Sequence, residues 1–135
     1  MNFKNVPTVC PYCGCGCGII LQVLDGEIIN IVPSKSSPVN EGKLCIKGWN
    51  AHQFVYSPKR VTKPLMRKND DFTETSWDEA LDFAVSELSR IKDQYGPDSI
   101  AVITSAKCTN EENYLVQKFA RAAIGTNNVD HCARL

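Results

Sequence analysis

Four cysteines in this chain carry the spacing of an iron–sulfur ligand set. Cys10, Cys13 and Cys17 form C-x2-C-x3-C, and Cys45 follows after 27 intervening residues. A cubane [4Fe–4S] cluster takes one thiolate at each of four corners. A tight turn can supply three of these, and a distant segment must close the fourth. Gly14, Gly16 and Gly18 lie in and beside the turn, where a missing side chain lets backbone N–H groups come close to the cluster sulfurs. Cys15 breaks the spacing and is expected to be a bystander, facing away from the corner its neighbours form. Structural zinc is the competing reading. Zinc usually takes two pairs of closely spaced ligands, so three together and one alone suit it less well.

Lys47 stands two residues past the fourth cysteine, in Leu44-Cys45-Ile46-Lys47-Gly48. A lysine at an average position is a solvated surface residue. Beside a cluster of net negative charge it would raise the reduction potential and could bridge to a second cofactor. The residues alone leave both readings open.

Seven cysteines are the one anomaly of composition, and four of them fall within eight residues. Their odd number, and an N-terminus without a twin-arginine pair or an apolar export segment, argue against a disulfide framework. A cytoplasmic location is therefore expected. The chain has 135 residues, 43% of them hydrophobic and 22% charged, which fits a folded globular chain and excludes disorder. Fifteen basic and fifteen acidic residues cancel, so no net field draws the chain to nucleic acid or a membrane surface. No apolar run approaches the roughly 20 residues that span a bilayer.

The elements that must position these residues change character along the chain. Gly18 to Leu24 and Glu27 to Val32 read as two strands joined by Asp25-Gly26, a two-residue hairpin signal. Pro33 through Pro38 form a loop leading to Cys45, and Ser57-Pro58-Lys59-Arg60 through Pro64 a connector. Ser76-Trp77-Asp78-Glu79 is a capping box. Trp77, Ala80, Leu81, Ala84, Val85, Leu88, Ile91 and Tyr95 then recur at helical spacing until Gly96-Pro97 stops the helix. Residues 99–103 read as a short strand buried on both faces. Thr109-Asn110-Glu111-Glu112 opens a second helix through Leu115, Phe119 and Ala123 to Gly125, and residues 127–130 begin the next parallel strand. The pattern is βαβ, and the chain stops just as that unit completes. The expected fold class is α/β: a small β-rich [4Fe–4S] subdomain over residues 1–60, then the incomplete start of a Rossmann-like α/β domain over 61–135.

These residues together resemble a known family. Cys10-Pro11-Tyr12-Cys13, the glycine-rich turn to Cys17, Gly42-Lys43-Leu44-Cys45-Ile46-Lys47-Gly48 and Ser76-Trp77-Asp78-Glu79-Ala80 are similar to the N-terminal region of the molybdenum or tungsten bis(pyranopterin guanine dinucleotide) oxidoreductases. Lys107-Cys108-Thr109-Asn110-Glu111-Glu112-Asn113-Tyr114 and the stretch from Gly125 to Leu135 narrow the resemblance to formate dehydrogenase catalytic (alpha) subunits. The similarity covers essentially the whole chain, and members of the family are several-fold longer.

The resemblance implies that Cys10, Cys13, Cys17 and Cys45 hold the cluster and that Lys47 lies on the electron path between cluster and pterin. It implies a pterin dinucleotide near residues 104–109, at the end of a strand and the N-terminus of a helix, where free N–H groups favour an anionic cofactor. Cys108 and Asn110 are then cofactor-binding candidates, with ordinary loop or cap residues as the alternative. The implied reaction is oxidation of formate to CO2, or its reverse, with electrons leaving through the cluster to an iron–sulfur- or flavin-containing beta subunit of a hetero-oligomer. In the family, Asn-Asn-Val-Asp-x-Cys-Ala-Arg-x is followed by the cysteine or selenocysteine that ligates the metal, so Cys132 is not that ligand. The ligand and the histidine after it are expected beyond Leu135, either because a UGA codon is read as a stop or because these residues are a part of a longer chain. The 135 residues alone are expected to be inactive. The remaining alternatives are a nitrate reductase, a formylmethanofuran dehydrogenase subunit, or a stand-alone iron–sulfur electron carrier.

Overall fold

The computed structural model describes residues 1–132. The Ala133-Arg134-Leu135 end of the resemblance-bearing stretch lies outside them. The chain divides into two compact units. The first holds residues 1–58 and 104–116 with His131 and Cys132, and the second holds residues 59–103 and 117–130.

The first unit is built on an antiparallel sheet of β1 (Phe3–Val9), β2 (Gly18–Leu24) and β3 (Glu27–Pro33), in that order. Asp25 and Gly26 join β2 to β3 with φ of 48° and 95°, the left-handed pair of a type I′ turn, as the sequence predicts. β1 was not expected, because Lys4, Asn5 and Pro7 interrupt any alternation. Pro7 is tolerated because β1 is an edge strand, exposed along its whole length. One face of the sheet closes over a small core of Cys10, Ile19, Ile31 and Ala51, with Tyr12, Cys17, Leu21 and Leu44 packed against it. A ligand candidate is thus part of the core itself. After β3 come the turns of residues 34–45 and the short helix α1 (Ile46–Trp49). A Cβ at Gly48 would sit 2.6 Å from Leu44 Cδ1, so any larger residue there would displace the Leu44 side chain.

The second unit contains an unexpected hairpin, β4 (Leu65–Lys68) and β5 (Asp71–Glu74), turned by Asn69 and Asp70 at φ of 49° and 70°. Helix α2 (Trp77–Tyr95) starts at the expected capping box. Ser76 Oγ accepts from Glu79 N–H at 3.2 Å, and Glu79 Oε2 accepts from Ser76 N–H at 3.3 Å. Its apolar stripe forms as the spacing predicts but has no buried member. Val85, Leu88 and Lys92 line a groove of about 240 Å³ with Ile100, Phe119 and Ile124.

The predicted strand at 99–103 is shifted. Pro97, whose ring fixes φ, opens a 3-10 turn over Pro97–Ser99, so β6 begins only at Val102 and runs to Ser105. Ile103 is 77% exposed, so this strand is not covered on both faces. β6 pairs with β7 (Val129–Cys132). Val102 N–H bonds to Asn128 O and Ala106 N–H to Cys132 O, so the partners advance together and the pair is parallel, as expected. Helix α3 (Asn110–Lys118) continues as a wider π turn over Phe119–Ile124 and stops at Gly125, at φ 89°. Among the described residues no helix is long and apolar enough to cross a membrane.

Candidate metal centre

The cysteine turn is the loop of the β1–β2 hairpin. Val9 pairs with Gly18 at the end of the ladder, and Cys10 N–H donates to the Cys17 carbonyl at 2.8 Å, so Cys10 and Cys17 leave the sheet side by side. Seven cross-strand pairs fix that register, and Cys13 lies in the loop they close. Gly16 turns the loop at φ 71°. Cys10 is buried, and Cys13 and Cys17 are half-buried. Burial and the neighbouring Cys15, Cys10 and Cys13 thiols push the Cys17 thiol up to about 11. Cys15, expected to face away, instead places its Sγ 3.6 Å from that of Cys17.

Cys45 approaches from the other side of the sequence. It is exposed and occupies the N-cap position of α1. Backbone N–H groups of Gly48 and Lys47, with the Lys47 charge, hold its thiol below the ordinary cysteine value. Its neighbour Leu44 packs against the same core as Cys10 and Cys17. Among the described residues, no three His, Cys, Asp or Glu side chains gather closely enough to hold a single metal ion. The candidate donors are four thiols, three from one loop and Cys45 from the start of α1, which is the kind of set an iron–sulfur cluster uses.

Lys47 does not point into bulk solvent alone. Its Nζ lies 5.1 Å from the ring centroid of Tyr12, one of the two residues between Cys10 and Cys13 in the turn. A cation–π contact of this kind draws the ammonium to the cysteine loop. Tyr12 had no assigned role in the sequence, although its place inside C-x2-C could have marked it.

The end of β6 carries the other candidates. Asn113 Nδ2 donates to the Ser105 and Thr109 carbonyls at 3.2 and 3.1 Å and so shapes the 105–109 loop, while its own buried Oδ1 has no donor. Thr109 and Glu112 form the expected reciprocal cap, at 2.7 and 3.2 Å. Cys108 is half-buried in this loop. Asn110 uses its amide elsewhere: Nδ2 donates to the Gly14 carbonyl at 2.9 Å, tying α3 to the cysteine turn. The approach is close enough that a Cβ at Gly14 would fall 2.8 Å from Asn110 Oδ1.

Comparison with known proteins identifies the family. Residues 3–57 match the molybdopterin oxidoreductase Fe4S4 domain, and residues 60–135 match the molybdopterin oxidoreductase family. The F420-dependent formate dehydrogenase subunit alpha of Methanocaldococcus jannaschii is 53% identical over the whole chain, which covers 19% of that protein. The F420-dependent formate dehydrogenase 2 subunit alpha of Methanococcus maripaludis is 55% identical over 99% of the chain, again covering 19% of the relative. The chain thus spans about a fifth of the length of these relatives. Acetylene hydratase from Pelobacter acetylenicus superposes with a TM-score of 0.76 at 27% identity, over 95% of this chain and 18% of its own. That enzyme's name denotes a different reaction, so the fold by itself does not select the chemistry.

Proposed function

Because this chain belongs to the molybdopterin oxidoreductase family, whose Fe4S4 and molybdopterin domains it carries, we propose that it is the N-terminal part of a formate dehydrogenase catalytic subunit. The observation that carries this reading is the identity of 53% and 55% to formate dehydrogenase alpha subunits along nearly all of the chain. Cys10, Cys13, Cys17 and Cys45 would hold the [4Fe–4S] cluster. Lys47, drawn toward the cysteine loop by Tyr12, would lie between the cluster and the pterin. A molybdenum or tungsten bis(pterin) cofactor would supply two-electron redox chemistry for formate oxidation, and a cluster held by the four cysteines would supply one-electron transfer. The loop after β6 suits the cofactor's anionic arm, since α3 presents its N-terminus there and the unpaired Asn113 Oδ1 can accept from an amino group. Cys108 and Asn110 remain candidates to touch it, although the Asn110 amide is already shared with Gly14. The reading includes a cytoplasmic hetero-oligomer with an iron–sulfur or flavin electron-transfer subunit. The names of the two relatives favour a deazaflavin coenzyme as final acceptor.

The native enzyme containing this chain, purified without oxygen, is expected to reduce a viologen dye and coenzyme F420 with formate and to contain iron and acid-labile sulfide in equal amounts. Reduction of nitrate with no response to formate would refute the reading. Within it, Tyr12→Leu should release Lys47, whose occupancy over the loop would fall roughly two- to fivefold for an exposed cation–π contact. A redox titration should then show a lower cluster potential, and Tyr12→Phe, which keeps the ring, should not.

A further inference from the structure

The loop that delivers Cys45 is fastened by one buried side chain. Asn40 is 8% exposed. Its Oδ1 accepts from Gly18 N–H at 2.8 Å, and its Nδ2 donates to the Gly18 carbonyl at 3.1 Å and to the Lys43 carbonyl at 2.7 Å. Gly18 directly follows Cys17, and Lys43 stands two residues before Cys45. The carboxamide therefore bridges the two segments that carry the third and fourth candidate ligands, with only Leu44 between the bridge and Cys45.

The surrounding backbone is arranged around this bridge. Ser34 N–H donates to the Gly18 carbonyl at 2.9 Å, and Ser37 lies so close that a Cβ at Gly18 would meet its Cβ at 2.6 Å. Glu41 and Gly42 both take left-handed backbone, at φ 45° and 79°, which reverses the chain between Asn40 and Lys43. A non-glycine residue holds such a conformation only where its surroundings compel it. Lys43 N–H closes the reversal on the Asn40 carbonyl at 2.7 Å. The other three cysteines need none of this, because the β1–β2 ladder sets Cys10 and Cys17 and their loop carries Cys13.

We propose that Asn40 is the positioning residue for the fourth cluster ligand, its buried carboxamide fixing Cys45 relative to the Cys17 side of the turn. The inference rests on the iron–sulfur reading above. A side chain that merely stabilised the loop would, when lost, lower cluster content without changing cluster composition. A side chain that places one corner would, when lost, release the iron at that corner.

The test uses the holoenzyme carrying Asn40→Asp, which keeps an acceptor for Gly18 N–H and loses both donated bonds. Prepared without oxygen and then exposed to air, its [4Fe–4S]2+ cluster should become [3Fe–4S]+, with one ferrous ion leaving and one electron passing to dioxygen. The enzyme should lose one iron per catalytic subunit while keeping its acid-labile sulfide, with the paramagnetic signal of a three-iron cluster. This conversion should run at least about tenfold faster than in the wild type, the scale on which partners outside the ligand shell act. Asn40→Ser is the second variant, should the first not accumulate. Asn30→Ala, which removes an exposed side-chain bond to Gln22 in the same sheet, should behave as wild type. Unchanged composition in both Asn40 variants, at full or reduced cluster content, overturns the proposal. A wild-type enzyme without iron and sulfide overturns the reading beneath it as well.

Discussion

Replacing Cys45 by serine is expected to leave a folded N-terminal unit with a three-iron cluster, and to slow formate-driven dye reduction by more than about a hundredfold. The second number follows from scale: outer partners of a metal site are worth roughly 10–100-fold, and a direct ligand is worth more. The first follows from where Cys45 sits. It is exposed at the cap of a four-residue helix and contributes nothing to the core. Cys10→Ser should differ in kind. Cys10 is 5% exposed among Ile19, Ile31 and Ala51, so a hydroxyl there is buried in apolar surroundings at a cost of about 1–3 kcal/mol. It also removes a ligand from the rigid end of the hairpin. The expected result is loss of all iron together with loss of fold, read by iron analysis and far-ultraviolet circular dichroism. If the two variants lose iron alike and keep the same fold, the division of labour between a core ligand and a cap ligand is wrong.

What was legible in the sequence, and what was not, divides along contact distance. The Asp25-Gly26 turn, both capping boxes and the helix stop at Gly125 were readable because the residues that make them are neighbours. The cysteine spacing was readable for the same reason, since C-x2-C-x3-C is a local pattern. β1 was missed because an edge strand needs no alternation and tolerates Pro7, and the β4–β5 hairpin because Asn69-Asp70 lacks the usual glycine. The strand at 99–103 was misplaced because Pro97 and the Ser99 hydroxyl, which donates to the Gly96 carbonyl at 2.6 Å, prolong the turn into it. Asn40 and Asn110 carried no signal for their actual partners. Those partners are 22 and 96 residues away, and one asparagine in a polar loop looks like another until the chain folds. The Cys15 orientation failed similarly, because the turn is tight enough to bring alternate sulfurs to 3.6 Å.

Ile19→Ala should be the most damaging change to stability outside the cysteines. Ile19 and Ile31 are each 1% exposed and, among the described residues, are the largest fully buried side chains in a core that also holds Cys10 and Ala51. Removing three carbons from such a site costs about 2–5 kcal/mol through lost burial and the cavity left behind. A small domain has only about 5–15 kcal/mol in total, and this unit has few other buried groups to share the loss. For a unit of this size, a cost near 3 kcal/mol corresponds to a fall in Tm of roughly 12–24 °C. Ile29→Ala supplies the contrast: Ile29 is 50% exposed on the same strand as Ile31, and its truncation should cost within about 0.5 kcal/mol. The cavity at Ile19 would also open two residues from Cys17 and directly against Cys10, so the variant should release iron to a chelator faster than wild type. Binding of iron and folding of the sheet draw on the same contacts, since Cys10 belongs to both. Because the variant holds iron more weakly, it gains less stability from iron, and its Tm deficit against wild type should be larger with iron than without. Equal Tm losses with and without iron would separate the core from the cluster and sink that coupling.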